Sequence, residues 1–298
     1  MTEAPPDALL VIAGPTASGK SRLALEVAER EGGEIVSADS QQIYRHFDVG
    51  TAKPTADELR RVPHHLISSV EPGEQVNAGR FRDLADAAIA QVRARGRRPI
   101  VAGGTGLYLR VLLHGVMPGP GASPAIRARI KAEAAEQGRE AIHRKLAEVD
   151  PESAARILPR DLVRVERALE LYELTGVPAS VMRRAHGFQE RRHPFRMVVL
   201  DPPREALYAA IDARVRSMFQ ELGLVEEVRA LMEKGYRDAP PMRSVGYVQA
   251  LAVAEGRMGL EEAIEDAARQ TRHYAKRQVT WFKKEPGAEL LRPPYAVA

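Results

Sequence analysis

The chain has no cysteine, one tryptophan in 298 residues, and only 5% aromatic side chains. Without thiols there is no disulfide framework, thiolate zinc site or cysteine nucleophile, so any metal must sit on oxygen or imidazole, with Mg²⁺ the default. No run of 18 uncharged apolar residues occurs, and residues 1–7 are polar and proline-bearing, so neither a membrane span nor a secretory leader is expected. The expectation is a cytoplasmic protein with no membrane partner, acting as a monomer. The length leaves room for one large domain or two modest ones. A net charge of +4 is uninformative unless it is unevenly placed.

What is present is led by residues 9–21, LLVIAGPTASGKS, an apolar strand running through a glycine-bounded loop into a helix. Gly14, Gly19, Lys20 and Ser21 fit G-x-x-x-x-G-K-[ST]. In that loop backbone N–H groups turn inward on a phosphate chain, the lysine reaches the outer phosphates, and the serine hydroxyl can ligate Mg²⁺. The start of the helix at Gly19 adds its positive dipole end. Residues Gly14, Pro15, Thr16, Ala17, Ser18, Gly19, Lys20 and Ser21 are therefore the expected diphosphate cradle, with Ser21 the metal ligand. The motif does not separate one diphosphate-bearing ligand from another, ATP included.

The charge is indeed uneven. Between 183 and 196, Arg183, Arg184, Arg191, Arg192 and Arg196 meet only Glu190; between 269 and 284, Arg269, Arg272, Lys276, Arg277, Lys283 and Lys284 meet no acid. The second stretch lies in a long helical pattern from about residue 260, whose apolar side reads Leu260, Ile264, Ala267, Thr271, Tyr274, Gln278 and Phe282. Arg269, Arg272, Lys276, Thr280 and Lys283 recur at steps of 3, 4, 4 and 3 and so share one other face. Such a ridge is either a solvated face or a site for a nucleic-acid backbone.

Apolar segments at 9–13, 34–38, 65–67, 99–102 and 195–200 read as strands, and helix-period stretches such as 21–31 and 79–95 lie between most of them. The alternation predicts an α/β fold, a P-loop NTPase-like core around a buried parallel sheet, with sites at the carboxyl ends of strands. After Pro118-Gly119-Pro120-Gly121 the pattern becomes alanine-, arginine- and glutamate-rich, with no convincing strand. The expected organisation is a first part of the core over 1–121, an all-helical insertion over 122–194, and a return to the core over 195–298 ending in basic helices. Strand 34–38 ends in Asp39-Ser40-Gln41-Gln42, and strand 99–102 in Gly103-Gly104-Thr105. Asp39 suits a Mg²⁺ ligand or a turn cap, and Thr105 a helix N-cap. His64 and His65 read as loop and strand residues, and Asp201 as a turn former before Pro202-Pro203.

Several segments together resemble the tRNA dimethylallyltransferases (tRNA isopentenyltransferases) in their bacterial form. These are GPTASGKS at 14–21, SADSQQIYRHFDVGTAKP at 37–54, GGTGLYL at 103–109, DLVRVERALE at 161–170, IDARVRSMF at 211–219, SVGYVQ at 244–249 and RHYAKRQVTWFKK at 272–284, in family order across nearly the whole chain. The resemblance implies Mg²⁺-dependent transfer of a dimethylallyl group from its diphosphate to N6 of adenosine 37, beside the anticodon in the anticodon stem-loop of tRNA. It places Asp39 as general base and sets Thr16, Thr105 and Arg214 around the bridging oxygen, with Asp39, Thr105 and Arg214 the catalytic set. It assigns RNA contact to Asp39, Ser40, Gln41, Gln42, Val163, Arg164, Val165, Glu166 and Arg167, and on the ridge to Arg269, Arg272, Lys276, Arg277, Thr280 and Lys283. Rival readings are prenylation of free adenine nucleotides, a small-molecule kinase, and a nucleic-acid-binding ATPase. Unaided, Arg214 reads as a solvated or structural arginine beside the stripe Ile211, Val215, Met218 and Phe219, and Arg167 as a partner of Glu170.

Overall fold

The computed structural model describes residues 8–187 and 190–297, so the residues 1–7 read above lie outside it. In chain order the elements are β1 (Leu9–Ala13), α1 (Lys20–Glu31), β2 (Glu34–Ser37), α2 (Ala56–Arg61), β3 (His64–His65), α3 (Ala78–Ala94), β4 (Pro99–Gly103) and α4 (Gly106–His114). There follow α5 (Pro124–Gln137), α6 (Arg139–Val149), α7 (Pro151–Arg156), α8 (Leu162–Thr175) and α9 (Ala179–His186). The chain continues with β5 (Phe195–Leu200), α10 (Arg204–Gln220), α11 (Leu224–Glu233), a 3₁₀ turn (Pro240–Arg243), α12 (Tyr247–Ala254), α13 (Leu260–Phe282) and β6 (Ala288–Leu291). The chain divides into two compact units, one of Met1–Leu113 with Arg191–Ala298 and one of His114–Glu190.

In the larger unit six parallel strands lie in the order β3-β2-β4-β1-β5-β6. A parallel sheet is covered on both faces, which is why its central strands are continuously apolar. Along β1 the two-residue period divides the core: Leu9, Val11 and Ala13 pack with Phe81, Ile89, Leu109 and Leu112 of α3 and α4. Leu10 and Ile12 pack with Leu23, Leu25 and Val27 of α1 on the other face. A third cluster joins α10 to α13 and takes in Ile43, Tyr44 and Phe47 from the chain after β2. Among its described residues the smaller unit has helices and no strand, packed around Ile130, Ile142, Leu146, Val165 and Leu171.

The strand pattern differs from the sequence reading at the sheet's margins. The 65–67 strand is the two-residue β3 (His64–His65), and the chain turns at Leu66, where φ is +62°. Strand β6 was not anticipated; its residues are only partly buried, so no continuous apolar run announces it. On α13 the buried positions are Ala263, Ile264, Ala267, Ala268, Ala275, Gln278 and Phe282, whereas Leu260 and Tyr274, assigned to the apolar side, are exposed.

Sheet closure at the site depends on a glycine. A Cβ on Gly103 would lie 2.2 Å from the carbonyl oxygen of Ala38, against backbone that cannot yield cheaply. Gly103→Ala is expected to lower unfolding free energy by about 3 kcal/mol, the upper end for overpacking. Urea denaturation checks this, and wild-type stability would contradict the packing described here.

Candidate active site

The carboxyl ends of β1, β2 and β4 bring the phosphate loop, the Asp39 turn and the Gly103-Gly104-Thr105 turn together, as the switch between neighbouring strands in such sheets does. Gly19 is the N-cap of α1, so Lys20 opens the helix. Pro15 O accepts from Lys20 Nζ at 3.4 Å and from Ser18 N at 3.3 Å, closing the loop on itself. Ala17 is held at φ +62°, a left-handed conformation that a residue with a Cβ adopts only where its surroundings impose it. Ser21 is exposed on the first turn of α1.

Two cavities meet at the loop. One, of about 380 Å³, is lined by Ala17, Gly19, Lys20 and Ser21 with Asp39, Gln42 and Arg214. The other, of about 340 Å³, shares Thr16, Lys20, Asp39, Thr51, Ala52 and Arg214, and adds apolar Val215, Met218 and Phe219 with Tyr274 and Gln278. Burial pushes the Lys20 ammonium down to about 8; the nearby Asp39 carboxylate opposes that shift and the Arg214 guanidinium adds to it. Burial likewise lowers the pKa of Arg214, with Asp39 pulling it back. Arg214 Nη2 donates to Thr16 Oγ1, while its Nε is buried with no partner. Gln41 Oε1, also lining the second cavity, is another buried atom without a partner. Buried polar atoms are nearly always paired, so these two stand out among the groups lining the cavity.

Asp39 Oδ1 accepts from the amides of Gln41 (2.8 Å) and Gln42 (3.3 Å), so one oxygen forms the turn expected of a capping aspartate. Among the described residues no hydrogen bond engages Oδ2. Thr105 Oγ1 accepts from Ser40 N at 3.1 Å and donates to Ser40 Oγ, tying the two strand ends. Gln42 is committed elsewhere: its amide donates to Thr51 O (3.1 Å) and Ala52 O (2.9 Å).

The remaining predicted residues lie on α8 and on or just after α13. On α8, Val165 is fully buried and Glu166 is buried near Arg127, so neither presents its side chain outward as an RNA contact requires. Arg167 pairs with buried Glu170 and donates to Pro120 O, the intrahelical pairing anticipated above, whereas Val163 and Arg164 are exposed, Arg164 beside Asp161. On α13, Arg269 pairs with Asp266 of its own helix and Arg272 with Asp212 of α10, an acid the local sequence did not show. Lys276, Thr280 and Lys283 line a separate groove of about 870 Å³, Lys283 being 3.6 Å from Asp201. Arg277 lies over the Tyr274 ring. Of the 183–196 cluster, Arg184 pairs with Glu152, Arg192 with Asp86 and Arg196 with Glu289.

Gln278 is the residue that sequence reasoning passed over. Assigned to an apolar stripe, it is buried, accepts from Thr16 N at 2.9 Å and donates to Gly104 O at 2.9 Å, joining the phosphate loop to the β4 turn through α13. The signal was available: a glutamine on a buried helix face must find partners for its amide.

Fold and cavity together define a P-loop-type α/β protein with a cationic, partly apolar ligand site. A family model described as IPP transferase matches residues 42–285. A tRNA dimethylallyltransferase of Myxococcus xanthus is 63% identical over 97% of this chain and 94% of its own length. A solved full-length tRNA isopentenylpyrophosphate transferase of Bacillus halodurans is 38% identical with a TM-score of 0.70, covering 96% of this chain and 90% of its own. A solved eukaryotic dimethylallyltransferase acting on tRNA is 29% identical with a TM-score of 0.77, covering 96% and 74%. The chain belongs to the IPP transferase family.

The depressed Lys20 pKa has a consequence for anion binding. With Lys20 lowered to about 8, the protein must take up a proton above that pH to meet an anion with the ammonium, so the Lys20 contribution to inorganic diphosphate affinity falls by up to about tenfold per pH unit from there. Calorimetry in buffers of different ionisation enthalpy should show proton uptake at pH 9 that Lys20→Met abolishes. Equal proton counts in both proteins would contradict the assignment.

Proposed function

We propose that this chain transfers a dimethylallyl group from dimethylallyl diphosphate to N6 of adenosine 37 in tRNA and releases diphosphate. The observation carrying the reading is the meeting of Lys20, Arg214 and Asp39 where a phosphate-loop chamber adjoins a chamber with an apolar side. Each ligand part has a matching surface: cations and loop amides for the diphosphate, and Val215, Met218 and Phe219 with Gln41 for the allyl group and the base. The relatives' names favour the same chemistry. A base reaching this cavity must first leave its stack.

In the reaction the N6–C bond forms as the carbon–oxygen bond to diphosphate breaks. The adenine amine is a weak nucleophile because its lone pair is delocalised into the ring, so its proton must leave as the bond forms. Asp39 Oδ2 takes that proton. Charge gathering on the leaving oxygen is met by Lys20, Arg214, the loop amides and Thr16, while Thr105, tied to Ser40, holds the turn that carries Asp39. Donors fixed beforehand stabilise such charge without reorganising during the step.

Among the described residues no group of three or more histidine or carboxylate side chains could hold a metal. Ser21, however, lines the phosphate chamber. One hydroxyl together with phosphate oxygens and water suits Mg²⁺, which keeps several waters, so Ser21 is the proposed protein ligand. Bound there, the ion would neutralise charge on the diphosphate. RNA contact is proposed for Ser40, Gln41, Val163, Arg164 and the outward cations of α13, in a protein of the cytoplasm. Among the described residues no helix is long and apolar enough to cross a membrane.

A tRNA anticodon fragment incubated with protein, Mg²⁺ and dimethylallyl diphosphate should gain the mass of one dimethylallyl group; an unchanged fragment overturns the reading. Asp39→Asn keeps a carbonyl oxygen for the Gln41 and Gln42 amides but cannot take a proton. Donor and tRNA affinity should stay within about threefold while the single-turnover rate falls by roughly 10² to 10⁴. Loss of donor binding recovered by excess Mg²⁺ would make Asp39 a metal ligand instead.

The ridge is tested separately. Lys276→Ala should lower the slope of log affinity against log salt for tRNA by about one. Arg272→Ala should change it less, because Asp212 already neutralises that guanidinium. Identical slopes for wild type and Lys276→Ala would make the ridge a solvated face.

A further inference from the structure

We propose that Glu227 and Tyr247 are positioning residues for Asp39, acting through the loop of residues 47–52. The assignment of Asp39 as base rests on the functional reading above; the structural coupling does not.

Glu227, on α11, reaches a loop almost 180 residues earlier in the chain. Its Oε2 accepts the amides of Asp48 (3.1 Å) and Val49 (2.8 Å), and its Oε1 accepts the Tyr247 hydroxyl. That hydroxyl oxygen in turn accepts the amide of Gly50 at 3.2 Å. Three consecutive backbone N–H groups thus end on one carboxylate and one phenol. A fixed carboxylate is a stronger acceptor for such a set than water or a neutral side chain. The Tyr247 ring is fully buried, tilted against Phe47, and packed so closely on Gly50 that a Cβ there would lie 2.4 Å from the ring. Burial and the carboxylate both push the phenol pKa up, so Tyr247 stays a donor.

Beyond Gly50 the same loop supplies Thr51 and Ala52 to both cavities. Ala52 is held at φ +51°, which needs support from outside the residue. That support comes from Gln42, whose amide bonds both carbonyls. The backbone amide of Gln42 donates to Asp39 Oδ1. A continuous path of hydrogen bonds and four peptide units therefore runs from Glu227 through residues 48–52 and Gln42 to the Asp39 carboxylate. It is anchored on the loop's far side by Lys53 Nζ, which donates to Tyr44 O, Asp48 Oδ1 and Ser68 Oγ. Two ends of the loop are thus fixed, and the carboxylate's orientation follows.

Tyr247→Phe removes the hydroxyl and keeps the ring; Glu227→Ala removes the acceptor altogether. Should Glu227→Ala fail to fold, Tyr247→Phe carries the test alone. Amide hydrogen exchange is expected to quicken at Gly50 in Tyr247→Phe and at Asp48, Val49 and Gly50 in Glu227→Ala, and in each variant also at Gln41 and Gln42, by about tenfold or more. Faster exchange at 48–50 with Gln41 and Gln42 unchanged would show a local latch and overturn the coupling. In turnover, kcat is expected to fall about tenfold with donor KM within threefold, and Glu227→Gln, which keeps an acceptor oxygen, to recover part of the loss. Unchanged kcat, or an effect confined to donor KM, overturns the positioning role. If the wild type transfers nothing to tRNA, the functional reading fails, and the exchange at Gln41 and Gln42 still decides the coupling.

Discussion

Two cations, Lys20 and Arg214, are held largely out of water in a cavity they share with one carboxylate, Asp39, and much of the surrounding structure exists to make that tolerable. An ammonium stripped of solvent loses protons readily, as the shift of Lys20 to about 8 records. The Asp39 charge opposes the shift in both cations, and Thr16 Oγ1 takes one guanidinium N–H. What stays unmatched is Nε of Arg214, a residue that lines both cavities. Such an arrangement suits an anion, because cations that already occupy their places need no reorganisation to stabilise charge that develops during a reaction.

Holding that geometry falls to elements distant in sequence. The sheet delivers three strand ends side by side, but strands alone do not set a loop to within a few tenths of an ångström. Gln278 does so for the phosphate loop, and Glu227 with Tyr247 for the wall formed by Thr51 and Ala52. Both devices sit on the helical layer of α10 to α13, so this layer supplies Arg214 to the site and also braces the loops that the sheet presents. Core packing there, around Ile211, Val215, Phe219 and Tyr247, is continuous with the walls of the cavity. A substitution in that layer is therefore transmitted to the site through a close-packed medium.

Periodic and local features were legible in the chain itself. The phosphate loop, the central strands with their continuous apolar residues, the helical character of the inserted segment and the buried stripe of α10 all follow from spacing, because each is decided by residues near one another. Strand β6 and the short β3 were not legible in the same way. An edge strand is half exposed and two residues long strands carry no period, so pairing with a neighbour defines them and composition does not. The basic ridge shows the same limit: its helical alignment was readable, but neutralisation of Arg272 by Asp212 depends on how α10 crosses α13.

What the sequence determined by itself was the chemistry on offer: a phosphate grip at residues 14–21, a carboxylate at the end of β2, a glycine turn at the end of β4, and a helix carrying cations on one face. These are short-range facts, set by residue type and by the 2- and 3.6-residue periods. Tertiary structure decided which of those groups share a cavity and which are already spoken for. Gln42 left the pool of free polar groups when Thr51 and Ala52 folded onto it, Glu166 left it by burial, and Gln278 joined the site from a face that had read as apolar. The physical reason is that hydrogen bonds and burial are settled between residues tens to hundreds of positions apart, where residue type says only that a partner is required and the fold selects it.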